Sequence, residues 1–159
     1  MPLDKNFTDK CYLYGRSIAY INQIVGEEKL PQAFITKCLP GMDRGVFDYW
    51  SQEALKTEEP EFVKVMKQLG DELPKVDNGS FWIGYYHQKA EIERVKARIR
   101  LGNKIAAKRR EKGLSIRELA RLSGVDKSNI LNVEKGFQSA GIDLITKLCA
   151  VLGLELTID

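Results

Sequence analysis

Ser115-Ile116-Arg117-Glu118-Leu119-Ala120-Arg121-Leu122-Ser123-Gly124-Val125-Asp126-Lys127-Ser128-Asn129-Ile130-Leu131-Asn132-Val133-Glu134-Lys135-Gly136 is the stretch that decides the fold. Ser115 and Glu118 stand three apart, the spacing at which each side chain bonds the other's exposed backbone amide in a capping box. The helix this opens is expected to turn Leu119, Ala120 and Leu122 inward, with the small Ala120 at a close helix crossing. Gly124 supplies the tight turn and Val125 plugs the core beneath it. Asp126 then caps a further helix, Lys127 to Lys135, closed by Gly136. Its Ile130 and Val133 face inward, while Lys127, Ser128, Asn129 and Asn132 face outward.

Upstream, Leu101, Ile105 and Ala106 set a preceding helix that ends at Gly113, with Leu114 as a core plug. Downstream, Ile142 to Leu152 fits a last helix, with Leu144, Ile145, Leu148 and Val151 apolar. The tail Leu154-Glu155-Leu156-Thr157-Ile158 alternates with period two and is expected to be a short β-strand. It has no evident partner in the chain, so Leu154, Leu156 and Ile158 are expected to pair with the same strand of a second copy, giving a two-fold dimer. The alternative is a strand folded back on its own chain.

The charge is unevenly spread. The 159 residues carry a net +3, yet residues 1–90 hold 11 Lys/Arg against 13 Asp/Glu, and residues 91–159 hold 14 against 9. Nine basic residues and one acid lie between Arg94 and Lys112. Beside a short polar helix start, whose amides carry partial positive charge, such a run favours phosphate contact. In a major groove, an amide such as Asn132 can pair with adenine, and Lys127 with guanine or a phosphate.

Residues 101–158 resemble the XRE group of phage Cro and repressor-like helix-turn-helix proteins. The resemblance is carried by Lys108-Arg109, Lys112-Gly113-Leu114-Ser115, Glu118-Leu119-Ala120, Gly124-Val125, Ile130, Val133-Glu134-Lys135-Gly136 and Leu152-Gly153. It implies a lambda-repressor-like domain binding palindromic half-sites of double-stranded DNA, with Lys127, Ser128, Asn129 and Asn132 on bases and Arg117, Lys135, Lys108 and Arg110 on the DNA backbone. It also implies that Arg109 pairs with Glu134 as a structural brace. One position departs from the pattern: after Ser115 the group often carries Gln or Arg that supports DNA contact, and here stands Ile116. Arg117 could substitute, or the module could serve protein contact only.

In the front half, Gly26, Pro31, Pro40-Gly41, Gly45, Pro60, Gly70, Pro74 and Asn78-Gly79 break the chain into short helical stretches. Thr8 can cap a helix with an apolar stripe at Cys11, Tyr14, Ile18, Ile21 and Val25, and Val46 to Leu55 and Phe62 to Leu69 read likewise. Ser80 is expected to open a long helix running from aromatic to charged, with a stiff helical joint near Arg98 to Gly102. The fold class is therefore all-α: a helical partner-binding or sensor domain over 1–98, then the helix-turn-helix domain over 99–159 with its short C-terminal β-strand.

Two patches, Tyr12-Leu13-Tyr14-Gly15-Arg16 and Phe81-Trp82-Ile83-Gly84-Tyr85-Tyr86-His87-Gln88, make residues 11–88 similar to the carboxy-terminal, small-subunit-like helical part of the large subunit of type I-C CRISPR surveillance complexes. That resemblance implies a CRISPR complex or another protein as partner of the front domain. By composition alone, Trp82, Tyr85 and Tyr86 are simply core, and Arg16 and His87 ordinary polar partners.

No stretch approaches the roughly 18 apolar residues of a membrane span, and the start lacks a signal pattern, so a cytoplasmic protein without a membrane partner is expected. Cys11, Cys38 and Cys149 show no ligand spacing and are expected to be buried thiols. His87, the only histidine, has no metal or nucleophile motif around it, so no catalytic residue, metal or cofactor is expected, and no enzyme. The leading expectation is a dimeric, sequence-specific DNA-binding regulator such as a repressor. The alternatives are a CRISPR-related accessory that acts by protein binding, with the helix-turn-helix for autoregulation, and an antitoxin-like repressor.

Overall fold

A computed structural model describes residues 9–39, 44–74 and 77–156. Among these the chain is all helical: α1 (Lys10–Val25), α2 (Phe34–Lys37), α3 (Arg44–Leu55), α4 (Pro60–Leu69), α5 (Asn78–Glu111), α6 (Ile116–Ser123), α7 (Lys127–Glu134) and α8 (Ile142–Leu152). It divides into two compact units, Met1–Glu91 and Ile92–Asp159. No described helix is long and apolar enough to cross a membrane.

In the first unit, α1 is the centre rather than a one-sided surface helix. Leu13, Tyr14, Ile18 and Ile21 are buried, and so are Gly15, Ser17, Ala19 and Tyr20 around the rest of its circumference. Asp9 caps it, its carboxylate accepting from the Tyr12 amide at 3.0 Å; the expected cap, Thr8, lies outside the described residues. α3 and α4 pack against α1. The Tyr14 ring meets Phe47 of α3 edge-on at 4.8 Å, and Tyr20 meets Phe62 of α4 at 5.9 Å. Pro60 starts α4 at a position where its missing N–H costs nothing.

α5 is an unbroken helix of 34 residues. It begins at Asn78, two residues before the expected start at Ser80, because Asp77 rather than Ser80 is the cap: its Oδ1 accepts from the Gly79 amide at 2.9 Å and its Oδ2 from the Ser80 hydroxyl at 2.7 Å. Those bonds hold the Asp77 carboxyl below its ordinary range, the Ser80 hydroxyl contributing most.

α1 and α5 cross with their backbones nearly touching. A Cβ at Gly15 would lie 1.9 Å from the Phe81 carbonyl oxygen, and one at Gly84 2.0 Å from the Tyr12 carbonyl oxygen. The crossing aligns polar side chains on either side of Gly15 with those that follow Gly84. Arg16 Nε donates to Gln88 Oε1 at 2.8 Å, and the Tyr12 hydroxyl lies 3.2 Å from His87 Nδ1. All three cysteines are buried and free, and burial pushes the Cys38 thiol up to about 12. Among the described residues no cluster of His, Cys, Asp and Glu could hold a metal.

The second unit closes around Ile105, Leu119, Val125, Ile130, Val133, Ile145, Leu148, Cys149 and Leu152. Two details correct the sequence expectations. Leu122, expected inward, is 48% exposed, because the buried stripe of α6 runs through Ile116, Leu119 and Ala120 and leaves Leu122 on the flank. The expected strand is absent among the described residues: Leu154 and Leu156 are irregular. The Leu154 amide instead donates to the Cys149 carbonyl at 3.0 Å, finishing α8, and no other strand offers the ladder that a strand needs. Ile158 lies outside the described residues.

Gly84→Ala should destabilise the first unit by about 3 kcal/mol, since a backbone carbonyl must move aside to admit the methyl group. Trp50 and Trp82 both lie in this unit, so a urea titration followed by tryptophan fluorescence measures the loss.

Candidate nucleic-acid interface

α6, the Gly124 turn and α7 follow directly from local chemistry. The Ser115 hydroxyl accepts from the Glu118 amide at 3.2 Å and the Glu118 carboxylate from the Ser115 amide at 2.7 Å, the complete capping box. Both contacts, the Ser115 side chain first, hold the Glu118 carboxyl below its usual range. Gly124 turns the chain at φ 66°, a left-handed conformation that side chains with a Cβ rarely adopt. Its amide closes α6 on the Ala120 carbonyl at 2.9 Å, and Val125 follows into the core. Asp126 then caps α7 through the Ser128 amide at 2.7 Å.

α7 is fixed to α5 by its C-terminal half. Arg109 on α5 forms a forked pair with Glu134, Nε to Oε1 at 2.6 Å and Nη2 to Oε2 at 2.9 Å, and gives its third donor, Nη1, to the Leu114 carbonyl at 2.8 Å. Both side chains are about nine-tenths buried. The bond to Glu134 raises the affinity of the guanidinium for its proton, against the opposing effect of burial. Gly102 lets the helices approach, since a Cβ there would sit 2.3 Å from the Val133 carbonyl oxygen.

The N-terminal half of α7 is left to the solvent. Lys127 and Ser128 are exposed, and Asn129 and Asn132 half-buried. Ser128 is not a free hydroxyl, because it donates to the Asp126 carboxylate and so offers only lone pairs outward. Those contacts, the Ser128 side chain first, lower the Asp126 pKa. Asn129 Oδ1 accepts from Gln138 Nε2 at 3.4 Å. Asn132 lends its backbone carbonyl to the Phe137 amide at 2.9 Å, which helps end the helix.

The basic residues differ in availability. Arg117, Arg110 and Lys135 are exposed. Lys108 is half-buried and paired with Glu111 at 2.8 Å. Lys108 and Arg110 flank the inward Arg109, about 200° apart around α5, and do not share a face. The Lys135 ammonium lies 5.5 Å from the centre of the Phe137 ring. Ile116 packs against the core of the unit, so its place in α6 is structural. Sequence reasoning passed over Phe137, 73% exposed, and Gln138. An aromatic between Lys135 and a polar loop was the available signal for the first, and nothing in the spacing marked the second.

A helix-turn-helix family model matches residues 105–158. An uncharacterized HTH-type transcriptional regulator of Haemophilus influenzae is 32% identical over 83 residues, covering 50% of this chain and 85% of that protein. The chain belongs to the helix-turn-helix family. No solved structure matches it. The matched segment of this helix-turn-helix protein contains the Arg109–Glu134 pair and the whole exposed face of α7.

Arg109→Met should cost the second unit about 3–5 kcal/mol, because it strands the Glu134 carboxylate in the core. Arg109→Met combined with Glu134→Leu should recover most of that loss. Hydrogen exchange of the core amides of α5 to α8 in the two single variants and the double variant completes the cycle.

Proposed function

We propose that this chain is a sequence-specific double-stranded-DNA-binding transcriptional regulator that works as a homodimer. The observation that carries the reading is the division of α7: its C-terminal half is locked to α5, while its N-terminal turns present Lys127, Ser128, Asn129 and Asn132 at the positive end of the helix dipole. Family membership and the regulator similar to it point the same way. On this reading those four side chains meet base edges in the major groove, and Arg117, Lys135, Arg110 and Lys108 meet phosphates. Lys108 contributes least, since Glu111 already neutralises it. Two copies would set their α7 helices on palindromic half-sites about one turn of DNA apart. The role is binding without catalysis, in the cytoplasm, with repression the simplest outcome of occupying a promoter.

A second reading concerns the first unit, as the docking domain of an accessory to type I-C CRISPR complexes. The observation favouring it is that the two patches resembling the large subunit of those complexes meet at one helix crossing, through Gly15, Gly84, Arg16 and Gln88. Ile83 and Tyr86, exposed on the same stretch of α5, offer a partner surface. Copurification with a reconstituted type I-C complex is the expected result, and no interaction in that mixture rules the reading out.

A genomic-fragment selection with the full chain at physiological salt should return a palindromic motif; salt-sensitive binding with no motif would overturn the sequence-specific reading. Asn132→Ala should cost about 1–3 kcal/mol at its cognate base and relax specificity there. Arg110→Ala should weaken all sequences alike and lower the salt dependence by about one phosphate's worth.

A further inference from the structure

We infer that Gln138, a residue outside the reading helix, is a positioning residue that determines which bases Asn129 selects. The inference rests on the DNA-reading assignment of α7. Gln138 follows α7 in the segment leading to α8, and its Nε2 donates to Asn129 Oδ1 at 3.4 Å, with both side chains half-buried.

A primary amide carries its acceptor and its two-hydrogen donor on opposite sides of one plane. Drawing Oδ1 of Asn129 toward the loop therefore turns its NH2 away from the loop. An unrestrained asparagine can read adenine with both atoms, its oxygen accepting a hydrogen bond from N6–H and its NH2 donating one to N7. Asn129 held by Gln138 presents donors alone, which match the acceptors guanine N7 and O6 and thymine O4 and leave the adenine N6 donor without a partner.

Its neighbours do not duplicate the function. The Ser128 proton is committed to Asp126. Lys127 is a rotating point charge without an acceptor, so its orientation carries no comparable choice. Asn129 is thus the first-turn group whose hydrogen-bonding sense is set from outside the helix.

The test is a randomised-site binding selection with the full chain and three variants, each checked for an unchanged thermal midpoint. Asn129→Ala should erase the preference at one position of the motif, where the unmodified protein selects guanine or thymine over adenine and cytosine. Gln138→Ala should relax that same position to admit adenine, with a loss of about tenfold in discrimination against it. Gln138→Glu is the sharper variant. A carboxylate only accepts, so the Asn129 amide should turn over, point its oxygen at the groove and favour cytosine and adenine, whose N4 and N6 donate, over guanine and thymine.

If Asn129→Ala changes one position while both Gln138 variants leave it unchanged, or change a different one, the positioning role is overturned and the DNA reading stands. If the unmodified protein selects no motif, both fall together.

Discussion

The Arg109 guanidinium joins three parts of the second unit at once: the last turns of α5, the Leu114 carbonyl in the connection to α6, and Glu134 at the end of α7. A buried ion pair repays the cost of leaving water only when its geometry is tight and its remaining donors are used. Here the fork takes both carboxylate oxygens, and Nη1 donates to the Leu114 carbonyl. The pair therefore specifies a register more than it adds stability. Displacing α7 along its axis would strand both charges, whereas a purely apolar contact would tolerate the shift. Gly102 applies the same constraint sterically, since the end of α7 lies where a side chain on α5 would be.

Anchoring one end of α7 sets what the other end can do. With Ile130 and Val133 in the core and Glu134 in the pair, the turn from Lys127 to Asn129 contributes little to packing. Its side chains are nevertheless ordered by local bonds, Ser128 to the Asp126 cap and Asn129 to Gln138. These bonds occupy some of the donors and acceptors of this exposed face and fix the direction of those that remain. A reading surface needs that direction, because base edges differ in the arrangement of donors and acceptors and not in charge.

What was legible in the sequence was what is decided within a few residues. The capping box at Ser115 and Glu118, the Asp126 cap and the left-handed Gly124 each depend on neighbours, and each was readable. Leu122 was misplaced because a spacing of three from Leu119 is only half of a helical pattern. The inward stripe also includes Ile116 and Ala120, and its centre lies well away from Leu122. That stripe also accounts for Ile116, which looked like a departure in a contact position and packs against the core. The terminal strand failed for a different reason: alternation describes which faces a strand would show, and supplies no ladder to hold it. α1 was misread because its apolar stripe left out Tyr12, Gly15, Ser17 and Tyr20, yet a central helix buries them as well. The Gln138 contact joins residues nine apart across a helix end, beyond any local rule.

The first unit illustrates how two distant motifs can be one feature. Tyr12 to Arg16 and Phe81 to Gln88 are separated by most of the unit, yet they meet because glycines on both helices let the backbones approach. Once Gly15 and Gly84 are seated, Arg16 and Gln88 face each other and Tyr12 reaches His87 with no further freedom. The motif is then satisfied by packing and internal hydrogen bonds, so its residues need no ligand to explain them. Any partner of this unit must instead be recognised by what the crossing leaves outside, and on that stretch of α5 the outside is apolar: Ile83, and Tyr86 stacked on Trp82. A surface of that kind suits a protein partner better than a phosphate backbone, because Ile83 and Tyr86 offer apolar area and no cation.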